Sequence, residues 1–241
     1  MTCKVTIQKN TFAESLAIVG RAVGSHIHLP ILSNVLLSKD EGQLRLSATD
    51  LTLGVTVWMD ANMDGELELT LPAKTLTDVI NSLTEPEVVF SVNGKPEATL
   101  KCGTYKGVVK GVEASEFPQM PNFDVSCGIS LEANTFKEMI QKVAFAASLD
   151  DSRPVLTGVL VNMDGNTLSM VATDGFRLAI CKVDQSVPLG KKQMIVPAST
   201  LKEVVRILGA TKASHITLFM PSTGSQVVFR CENVQIVSQL I

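Results

Sequence analysis

The chain has 241 residues, 45% of them apolar, and a formal net charge of −3. This apolar fraction excludes an intrinsically disordered protein, and no apolar run reaches the roughly 18 residues that a membrane helix requires. The acidic balance excludes tight nucleic-acid binding through the overall field of the protein, although a local basic face remains compatible with it.

The cysteines and the N-terminal segment indicate the compartment. Five cysteines are scattered without a C-x-x-C pair, and the segment MTCKVTIQKN has no apolar core of a secretory signal. This pattern is typical of a cytoplasmic protein whose thiols are reduced. We therefore expect a cytoplasmic location, no disulfide framework, no bound metal or cofactor, and no membrane partner.

In chain order, each half of the sequence predicts the same series of elements. A first strand, KVTIQ or GISLEA, leads into a helix with an N-cap at Asn10-Thr11 or Asn134-Thr135. Two alternating strands follow, NVLLSKD with QLRLSATD in the first half and GVLVNMD with TLSMVATD in the second. A second helix then begins, with Pro72 or Pro197 in its first turn.

Apolar stripes mark the buried face of these helices. Phe12, Leu16, Val19 and Val23 recur at helical spacing on the first helix. The second helix of each half carries a stripe, formed by Leu76, Val79, Ile80 and Leu83 or by Leu201, Val204, Val205 and Leu208. The pattern predicts the α+β class, with two helices on one face of antiparallel sheets in each half.

The two halves are a tandem repeat. The triplets Asn10-Thr11-Phe12, Pro30-Ile31-Leu32 and Ala48-Thr49-Asp50 return 124 residues later, the second as Pro-Val-Leu. LPAKTLTDVI returns as VPASTLKEVV, 125 residues later. Constant spacing over several landmarks indicates two copies of one fold. We predict a first domain over residues 1–120, a linker over 121–128 and a second domain over 129–241.

The repeated Ala-Thr-Asp triplet admits two interpretations. Paired aspartates of a duplicated domain suggest an aspartic-type hydrolase, whereas an Asp that ends a strand commonly caps the following turn. The order Thr-Asp differs from the Asp-Thr/Ser-Gly of such proteases, and Leu51 stands where the first copy would need glycine. The turn is therefore the favoured interpretation.

Other catalytic signatures are missing from the sequence. It contains no P-loop, no dinucleotide-binding glycine motif and no nucleophile elbow. His26 and His28 form an H-x-H pair, but His215 is the only further histidine, so three metal ligands are hard to assemble. The sequence indicates a protein that is not an enzyme.

Several long stretches resemble the bacterial sliding clamps, the beta subunits of DNA polymerase III. They are LPILSNVLLSKDEGQLRLSATDLTLGV, LPAKTL, EFPQMP, SRPVLTGVLVNMDGNTLSMVATDGFRLAI and IVPASTLKEVVRIL, in the order and spacing of that family. The resemblance covers essentially the whole chain.

The resemblance implies a fold and a function. Each domain would have the DNA clamp fold, with two helices facing the hole of a ring and sheets forming the outer wall. The ring would encircle duplex DNA independently of sequence and tether the replicative polymerase, which confers processivity. The implied partners are double-stranded DNA, the alpha subunit of DNA polymerase III, the clamp loader, other proteins with clamp-binding motifs, and further copies of the chain.

The family has three such domains per chain, arranged as a head-to-tail dimeric ring. Residues 1–241 resemble the first two, so we expect the third domain to be absent. One interpretation is a fragment that binds partner peptides without encircling DNA. Another is a ring of three two-domain chains, since head-to-tail contacts close when the rotation divides the circle.

The stripes and the implied ring together predict the residues that face DNA. Basic side chains on the helix sides opposite the stripes, or flanking them, would approach the phosphates, with few and salt-sensitive contacts. Glu14, Asp78, Glu138 and Glu203 share those sides, so an ordinary solvated face is the alternative. The predicted DNA-facing residues on this basis are Arg21, Lys74, Lys137, Lys142, Lys202 and Arg206. The resemblance adds Arg153, which lies beside positions where the family often has residues that touch DNA.

The resemblance also implies a pocket for partner peptides and an edge between subunits. The pocket would lie at the second ATDGFRL corner and be lined by Leu156, Thr173, Gly175, Phe176, Arg177 and Leu178. Ordinary core positions for the two leucines are the alternative. The subunit edge would be the strand near YKGVVK, with Tyr105, Lys106, Val108 and Val109.

Overall fold

The computed structural model of the chain describes residues 2–24, 29–121, 123–186, 188–221 and 224–241. Two compact units are present, Met1–Pro121 and Asn122–Ile241, here called unit 1 and unit 2. The H-x-H pair of His26 and His28 lies outside the described residues. No helix in the described part of the chain has the length and apolar character needed to cross a bilayer.

Over its described residues, unit 1 contains two α-helices and nine strands, with short 3-10 turns between some of them. The helices are α1 (Lys9–Val19) and α2 (Ala73–Ser82). The strands are β1 (Thr2–Gln8), β2 (Asn34–Asp40), β3 (Gln43–Thr49), β4 (Leu53–Met59), β5 (Asn62–Met63), β6 (Glu68–Pro72), β7 (Glu87–Asn93), β8 (Glu97–Cys102) and β9 (Tyr105–Lys110).

Unit 2 repeats the plan, with two helices and eight strands among the residues that the structure describes. The helices are α3 (Ala133–Val143) and α4 (Ala198–Thr211). The strands are β10 (Ile129–Glu132), β11 (Gly158–Gly165), β12 (Thr167–Thr173), β13 (Leu178–Asp184), β14 (Gly190–Pro197), β15 (His215–Phe219), β16 (Gln226–Cys231) and β17 (Val234–Gln239).

The strands within each unit pair in antiparallel fashion. Unit 1 has a sheet in the order β5-β1-β7-β8-β9 and a second series, β4-β3-β2-β6. Unit 2 has the series β10-β15-β16-β17 and the sheet β13-β12-β11-β14. The helices pack in pairs, α1 with α2 and α3 with α4. The predicted α+β class with two helices in each copy is confirmed.

The apolar stripes form the core under these helices. Phe12 and Leu16 on α1 and Leu76 and Ile80 on α2 are almost completely buried. Phe12 stacks on Phe90 with ring centroids 6.0 Å apart. Aromatic pairs at such distances add to the stability of the core.

The core of unit 2 follows the same plan. The buried stripe residues of α4 are Leu201, Val204 and Leu208. Phe136 on α3 approaches Phe229 on β16, with ring centroids 6.0 Å apart. The aromatic pair of unit 1 therefore has a counterpart in unit 2.

The helix N-termini differ from the prediction. The helices α1 and α3 begin one residue before the expected Asn-Thr caps, at Lys9 and Ala133, so Asn10 and Asn134 are already helical. Glu132 is the N-cap of α3 and accepts a hydrogen bond from the backbone N–H of Thr135. A carboxylate that accepts from the first turn of α3 replaces the predicted asparagine cap.

The two prolines also lie one position earlier than predicted. Pro72 and Pro197 are the N-caps of α2 and α4 and the last residues of β6 and β14. The fixed φ of proline suits both the last residue of a strand and the residue before a helix. Proline lacks a backbone N–H, and neither the end of the strand nor the start of the helix needs one at this position.

Candidate functional site

The two Ala-Thr-Asp triplets form the same corner in both units. Thr49 at the end of β3 donates its hydroxyl to the carbonyl of Leu53 at 3.0 Å and accepts from the N–H of Leu51 at 3.0 Å. Thr173 at the end of β12 donates to the carbonyl of Arg177 at 2.7 Å and accepts from the N–H of Gly175 at 3.1 Å. A hydroxyl that both donates and accepts holds each turn closed.

The aspartates complete these corners. Asp50 Oδ1 accepts from the N–H groups of Thr52 and Leu53, at 2.9 and 2.7 Å. Asp174 Oδ1 accepts from the N–H groups of Phe176 and Arg177, both at 3.0 Å. Each carboxylate therefore caps its own turn, as the structural interpretation of the repeated triplet predicts.

Asp174 is further held in its ionised form. The N–H groups of Phe176 and Arg177, with the guanidinium of Arg177 2.8 Å from Oδ2, lower the pKa of this carboxyl below its ordinary value. An aspartate that shares a proton with a second carboxylate would show a raised pKa instead. The shift suits a turn cap and an ion pair, and it does not suit an acid catalyst.

Around the unit 2 corner, large apolar side chains are exposed. Phe176 is 96% accessible, and Leu178 at the start of β13 is 62% accessible. Val155 and Phe145 are also more than half exposed, and Leu149 is almost fully so. A cluster of exposed apolar side chains on one unit is typical of a binding surface.

The predicted pocket residues divide between this surface and the turn beneath it. Gly175 has a φ of 93°, and a Cβ placed there would lie 3.8 Å from Arg153 Nη1, so the glycine is required by the backbone and not by crowding. Leu156 and Thr173 are half-buried, whereas Phe176, Arg177 and Leu178 are exposed. The alternative of an ordinary core position is excluded for Leu178.

Two arginines border this surface. The guanidinium of Arg177 lies 5.7 Å from the centre of the Phe145 ring, a cation–π distance. Arg153 pairs with Asp150 at 3.5 Å. Hydrogen bonds from Ser152, and then the charge of Arg153, lower the pKa of the Asp150 carboxyl. The surface therefore combines apolar side chains with two cations that are each oriented by an aspartate.

Phe145 and Leu149 were not among the predicted site residues. They follow α3 four residues apart in AFAASLDD, and the sequence alone places them as easily in the core. The signal that could have indicated their exposure is the pair of aspartates directly after Leu149. Aspartates are almost never fully buried, so the segment around them is expected to lie at the surface.

In unit 1 the residue that corresponds to Leu178 is covered, in contrast to the exposed Leu178 of unit 2. Gly54 occupies the position of Leu178 in the repeat, and a Cβ placed on it would lie 2.8 Å from Cε of Met120. Met120 thus packs directly on the backbone of β4. The equivalent place in unit 2 is taken by the side chain of Leu178, so the two corners offer different surfaces from the same backbone.

The predicted DNA-facing residues lie on helices and turns with their side chains largely exposed. Lys74 and Lys202 are exposed, and Lys137 is half-buried near the middle of α3. Arg21 is exposed in the 3-10 turn after α1. These four cations are therefore placed where solvent, or a ligand, can reach them.

Some of the predicted DNA-facing cations have acidic neighbours. Lys142 pairs with Glu138 at 3.2 Å, and Arg206 pairs with Glu203. Lys137 on α3 and Lys202 on α4 add two further cations to the same helices, so the basic residues of this pair of helices outnumber Glu138 and Glu203.

The predicted subunit edge is an edge strand. β9 pairs with β8 and is the last strand of its sheet. Tyr105, Lys106 and Val108 are exposed on it, whereas Val109 is buried. Of the four predicted edge residues, Val109 therefore belongs to the core of unit 1. Within the described residues, no three His, Cys, Asp or Glu side chains are grouped so as to hold a metal ion.

Two family models match the chain. One describes the N-terminal domain of the DNA polymerase III beta subunit and matches residues 3–121. The other describes the central domain of the same subunit and matches residues 130–241. Together they account for both units.

Individual relatives agree with the family models. The beta sliding clamp of Synechococcus elongatus is 31% identical over an alignment of 242 positions, which covers 99% of this chain and 64% of that protein. The beta sliding clamp of Chlamydia muridarum is 28% identical over 241 residues, with the same coverage. The chain thus spans 64% of the length of these relatives.

Solved structures share the fold. The DNA polymerase sliding clamp of Bacillus subtilis superposes with a TM-score of 0.94 at 24% identity, over 100% of this chain and 65% of that one. The sliding clamp of Pseudomonas aeruginosa bound to griselimycin superposes with a TM-score of 0.90 at 27% identity, with the same coverage.

Proposed function

Because the chain belongs to the family of bacterial DNA polymerase III beta subunits, the sliding clamps, we propose that it serves as part of a ring around duplex DNA. The ring tethers the replicative polymerase and so makes synthesis processive. Matching of both units, in order, to the N-terminal and central domains of that subunit is the observation that supports this most directly. A tether of this kind needs no catalysis.

The basic residues of the helices support the DNA contact. Lys137, Lys142, Lys202 and Arg206 lie on the two helices of unit 2. In the proposed ring these helices approach the phosphates. Pairing of Lys142 and Arg206 with glutamates on the same helices weakens their attraction for DNA. Weak contacts suit a ring that slides, because tight phosphate binding would hold it at one place.

The exposed corner of unit 2 supports the partner site. We assign it the binding of short motifs from the polymerase alpha subunit and the clamp loader. Phe176 and Leu178 supply apolar contact area, while the guanidinium of Arg177 lies over Phe145. Such a surface with few, well-placed polar groups is typical of peptide recognition.

A retention experiment on circular DNA tests the tether. The full chain is incubated with nicked circular plasmid, clamp loader and ATP, and the DNA is separated by gel filtration. We expect the chain to elute with the circle and to be released when a restriction enzyme linearises it. Equal retention on circular and linear DNA, or no retention on either, contradicts the proposal.

A peptide experiment tests the partner site separately. The probe is a labelled peptide that carries the clamp-binding motif of a polymerase alpha subunit, and the readout is fluorescence anisotropy. We expect Phe176→Ala and Leu178→Ala to weaken binding by about tenfold each, because each removes an exposed apolar side chain from the site. Val108→Ala, on the edge strand of unit 1, is the control and should bind as the unchanged chain does.

A further inference from the structure

The turn between β7 and β8 contains the single Asn-Gly pair of the chain, Asn93-Gly94. Asn93 is the last residue of β7, and the paired register of the two strands ends with Val92 opposite Ala98. Gly94 has a φ of 71°, a conformation that glycine adopts without steric cost. The Asn-Gly pair therefore lies at the start of the connection, directly after the last paired position of β7 with β8.

An asparagine followed by glycine is prone to react with its own backbone. The nitrogen of the glycine attacks Cγ of the asparagine side chain, so that an N–Cγ bond forms while the Cγ–Nδ2 bond breaks and ammonia leaves. Water then opens the resulting cyclic imide at either of its carbonyl groups, which gives aspartate or isoaspartate. Glycine permits the attack because it has no Cβ beside the attacking nitrogen. The reaction consumes water and needs no other reactant.

The structure leaves the reacting pair accessible. Asn93, Gly94 and Lys95 are all exposed. Within the described part of the chain, the side-chain amide of Asn93 has no hydrogen-bond partner, so its rotation toward the nitrogen of Gly94 breaks no hydrogen bond. Neither burial nor a competing contact of the side chain therefore hinders the attack or the later entry of water.

The hydrogen bonds of the turn lie after the reacting pair. The N–H of Glu97 donates to the carbonyl of Lys95, and the N–H of Gly111 donates to the carbonyl of Pro96, both at 2.7 Å. A local change in the backbone angles of Asn93 is therefore opposed by few contacts. The positive charge of the exposed Lys95 also favours the negative charge that develops on the nitrogen of Gly94.

Asn166, in the turn between β11 and β12, provides a comparison within the same chain. It is also exposed, but Thr167, a β-branched residue, follows it. Its Nδ2 donates a hydrogen bond to the carbonyl of Gln185 at 3.3 Å. Both differences oppose the reaction, because the side chain of Thr167 crowds the attacking nitrogen and the hydrogen bond holds the amide toward Gln185.

We propose that Asn93 is a site of spontaneous deamidation, converted through a cyclic imide with Gly94 into aspartate and isoaspartate. The product carries an additional negative charge next to Lys95. Isoaspartate also adds a carbon to the backbone at the end of β7, where Asn93 is paired with Thr2 of β1. The modified fraction increases with the age of the protein molecule. The inference rests on unit 1 alone and is independent of the proposed clamp function.

Peptide mapping of aged protein tests the assignment. The full chain is incubated at mildly alkaline pH and physiological temperature, and it is then digested with pepsin at acid pH, where the imide forms slowly. Fragmentation mass spectrometry follows Asn93 and Asn166 over time. We expect Asn93 to react at least about tenfold faster than Asn166, with isoaspartate among its products, because glycine leaves the attacking nitrogen uncrowded. Conversion of Asn93 no faster than that of Asn166, or aspartate without isoaspartate, would overturn the proposal.

A variant of Gly94 tests the attacking nitrogen. Gly94→Asp adds a Cβ, and aspartate tolerates a positive φ better than most residues. We expect Asn93 to react at least about tenfold more slowly in this variant. Gly42→Asp is the matched control, because Gly42 has a φ of 85° in another turn of unit 1 and a Cβ there meets no other atom within 4 Å. Its Asn93 should react as in the unchanged chain.

Measurements in urea keep this test independent of the stability of the variants. All chains are unfolded there, so only the residue after Asn93 differs between Gly94→Asp and the unchanged chain at this site. The slower reaction of Gly94→Asp should persist in urea. Equal rates of the two chains in urea would show that the nitrogen of residue 94 is not the attacking group, and the proposal would fall.

A short peptide separates the reactivity of the sequence from the effect of the fold. The peptide SVNGKPE, which contains residues 91–97, is incubated under the same conditions. We expect Asn93 in the folded chain to react within about tenfold of the rate in the peptide, because the turn is exposed and little structure must open. A folded-chain rate about a hundredfold or more below that of the peptide would show that the fold protects Asn93, which contradicts the proposal.

Discussion

Leu51 and Gly175 hold the same position in two corners with matching hydrogen bonds, and both have positive φ angles, 78° and 93°. Glycine adopts this backbone at no steric cost, whereas a leucine is strained there. Leu51 is also 51% accessible, so its side chain recovers only part of that cost through burial. We expect Leu51→Gly to stabilise unit 1 by about 1 kcal/mol.

Trp58, the single tryptophan of the chain, lies in unit 1 and reports on this change. Urea unfolding followed by its fluorescence should have a higher midpoint for Leu51→Gly. Gly175→Ala is the reciprocal variant and should lower the midpoint of the far-ultraviolet circular dichroism transition. An unchanged or lower fluorescence midpoint for Leu51→Gly would show that the leucine side chain compensates for its backbone.

Asp174 makes the unit 2 corner sensitive to acid. Its pKa is lowered in the folded chain, mainly by the N–H groups of Phe176 and Arg177. A carboxyl with a lowered folded pKa contributes stability above its unfolded pKa and loses it as the pH falls through the folded pKa. We therefore expect Asp174→Asn to be less stable than the unchanged chain at neutral pH, with the difference vanishing at strongly acid pH.

Chemical unfolding at a series of pH values measures this difference. Asp164→Asn, at the exposed end of β11, serves as the control and removes a carboxylate without removing a turn cap. If the two variants differ from the unchanged chain by equal amounts at every pH, the capping role of Asp174 has no energetic weight.

The cysteines differ in their reactivity with thiol reagents. Cys127 is exposed, Cys181 is half-buried, and Cys3, Cys102 and Cys231 are buried. Burial also raises the pKa of the Cys231 thiol to about 11, so little of the reactive thiolate is present near neutral pH. We expect one fast thiol, a slower second one, and three that react only on unfolding. Ellman's reagent under native conditions and in urea gives the count, and Cys127→Ser should abolish the fast phase.

Alternation and repetition made most of the fold predictable from the sequence. The strands β2, β3, β11 and β12 coincide with the predicted strand segments, although β2 and much of β3 are buried on both faces and not on alternate residues only. The helix stripes were equally clear, since Leu76 and Ile80 must meet the sheet at helical spacing. Because the sequence is a tandem repeat, each predicted strand and helix of one half was supported by its equivalent in the other half.

The remaining features depend on contacts between distant residues. Met120 packs on Gly54, a residue far from it in the sequence. No local sequence pattern around either residue indicates this contact. The exposure of Ile180 has a related cause: an isoleucine in an apolar strand looks like a core residue, and only the three-dimensional arrangement leaves it 55% accessible.

The helix caps were predicted wrongly for a local reason. Glu132 and Asn134 are both suitable cap residues, and the helix α3 begins between them. Which of two nearby polar side chains reaches the first free N–H groups depends on the exact backbone path out of β10, and the sequence pattern does not specify that path to one residue.

The basic side chains on the helices of unit 2 should attract DNA in a salt-dependent way, and changing a single charge on these helices should change the affinity. Among the residues that the structure describes, Lys202 is exposed on α4 and forms no ion pair, whereas Arg206 on the same helix pairs with Glu203. We expect Lys202→Ala to weaken the association of the chain with a short labelled duplex at low salt. Glu203→Gln should strengthen it, because the guanidinium of Arg206 is then available to a phosphate.

Anisotropy at several salt concentrations measures both affinities. For each phosphate that the protein no longer neutralises, the slope of log K against log salt becomes shallower by about 0.9. Lys95→Ala, between β7 and β8 of unit 1, changes the charge by the same amount as Lys202→Ala and is its control. A helix that faces the phosphates must respond to its own charges more than to a distant one. The contact of helix α4 with DNA is therefore contradicted if Lys202→Ala and Lys95→Ala give the same slope of log K against log salt and Glu203→Gln does not strengthen binding.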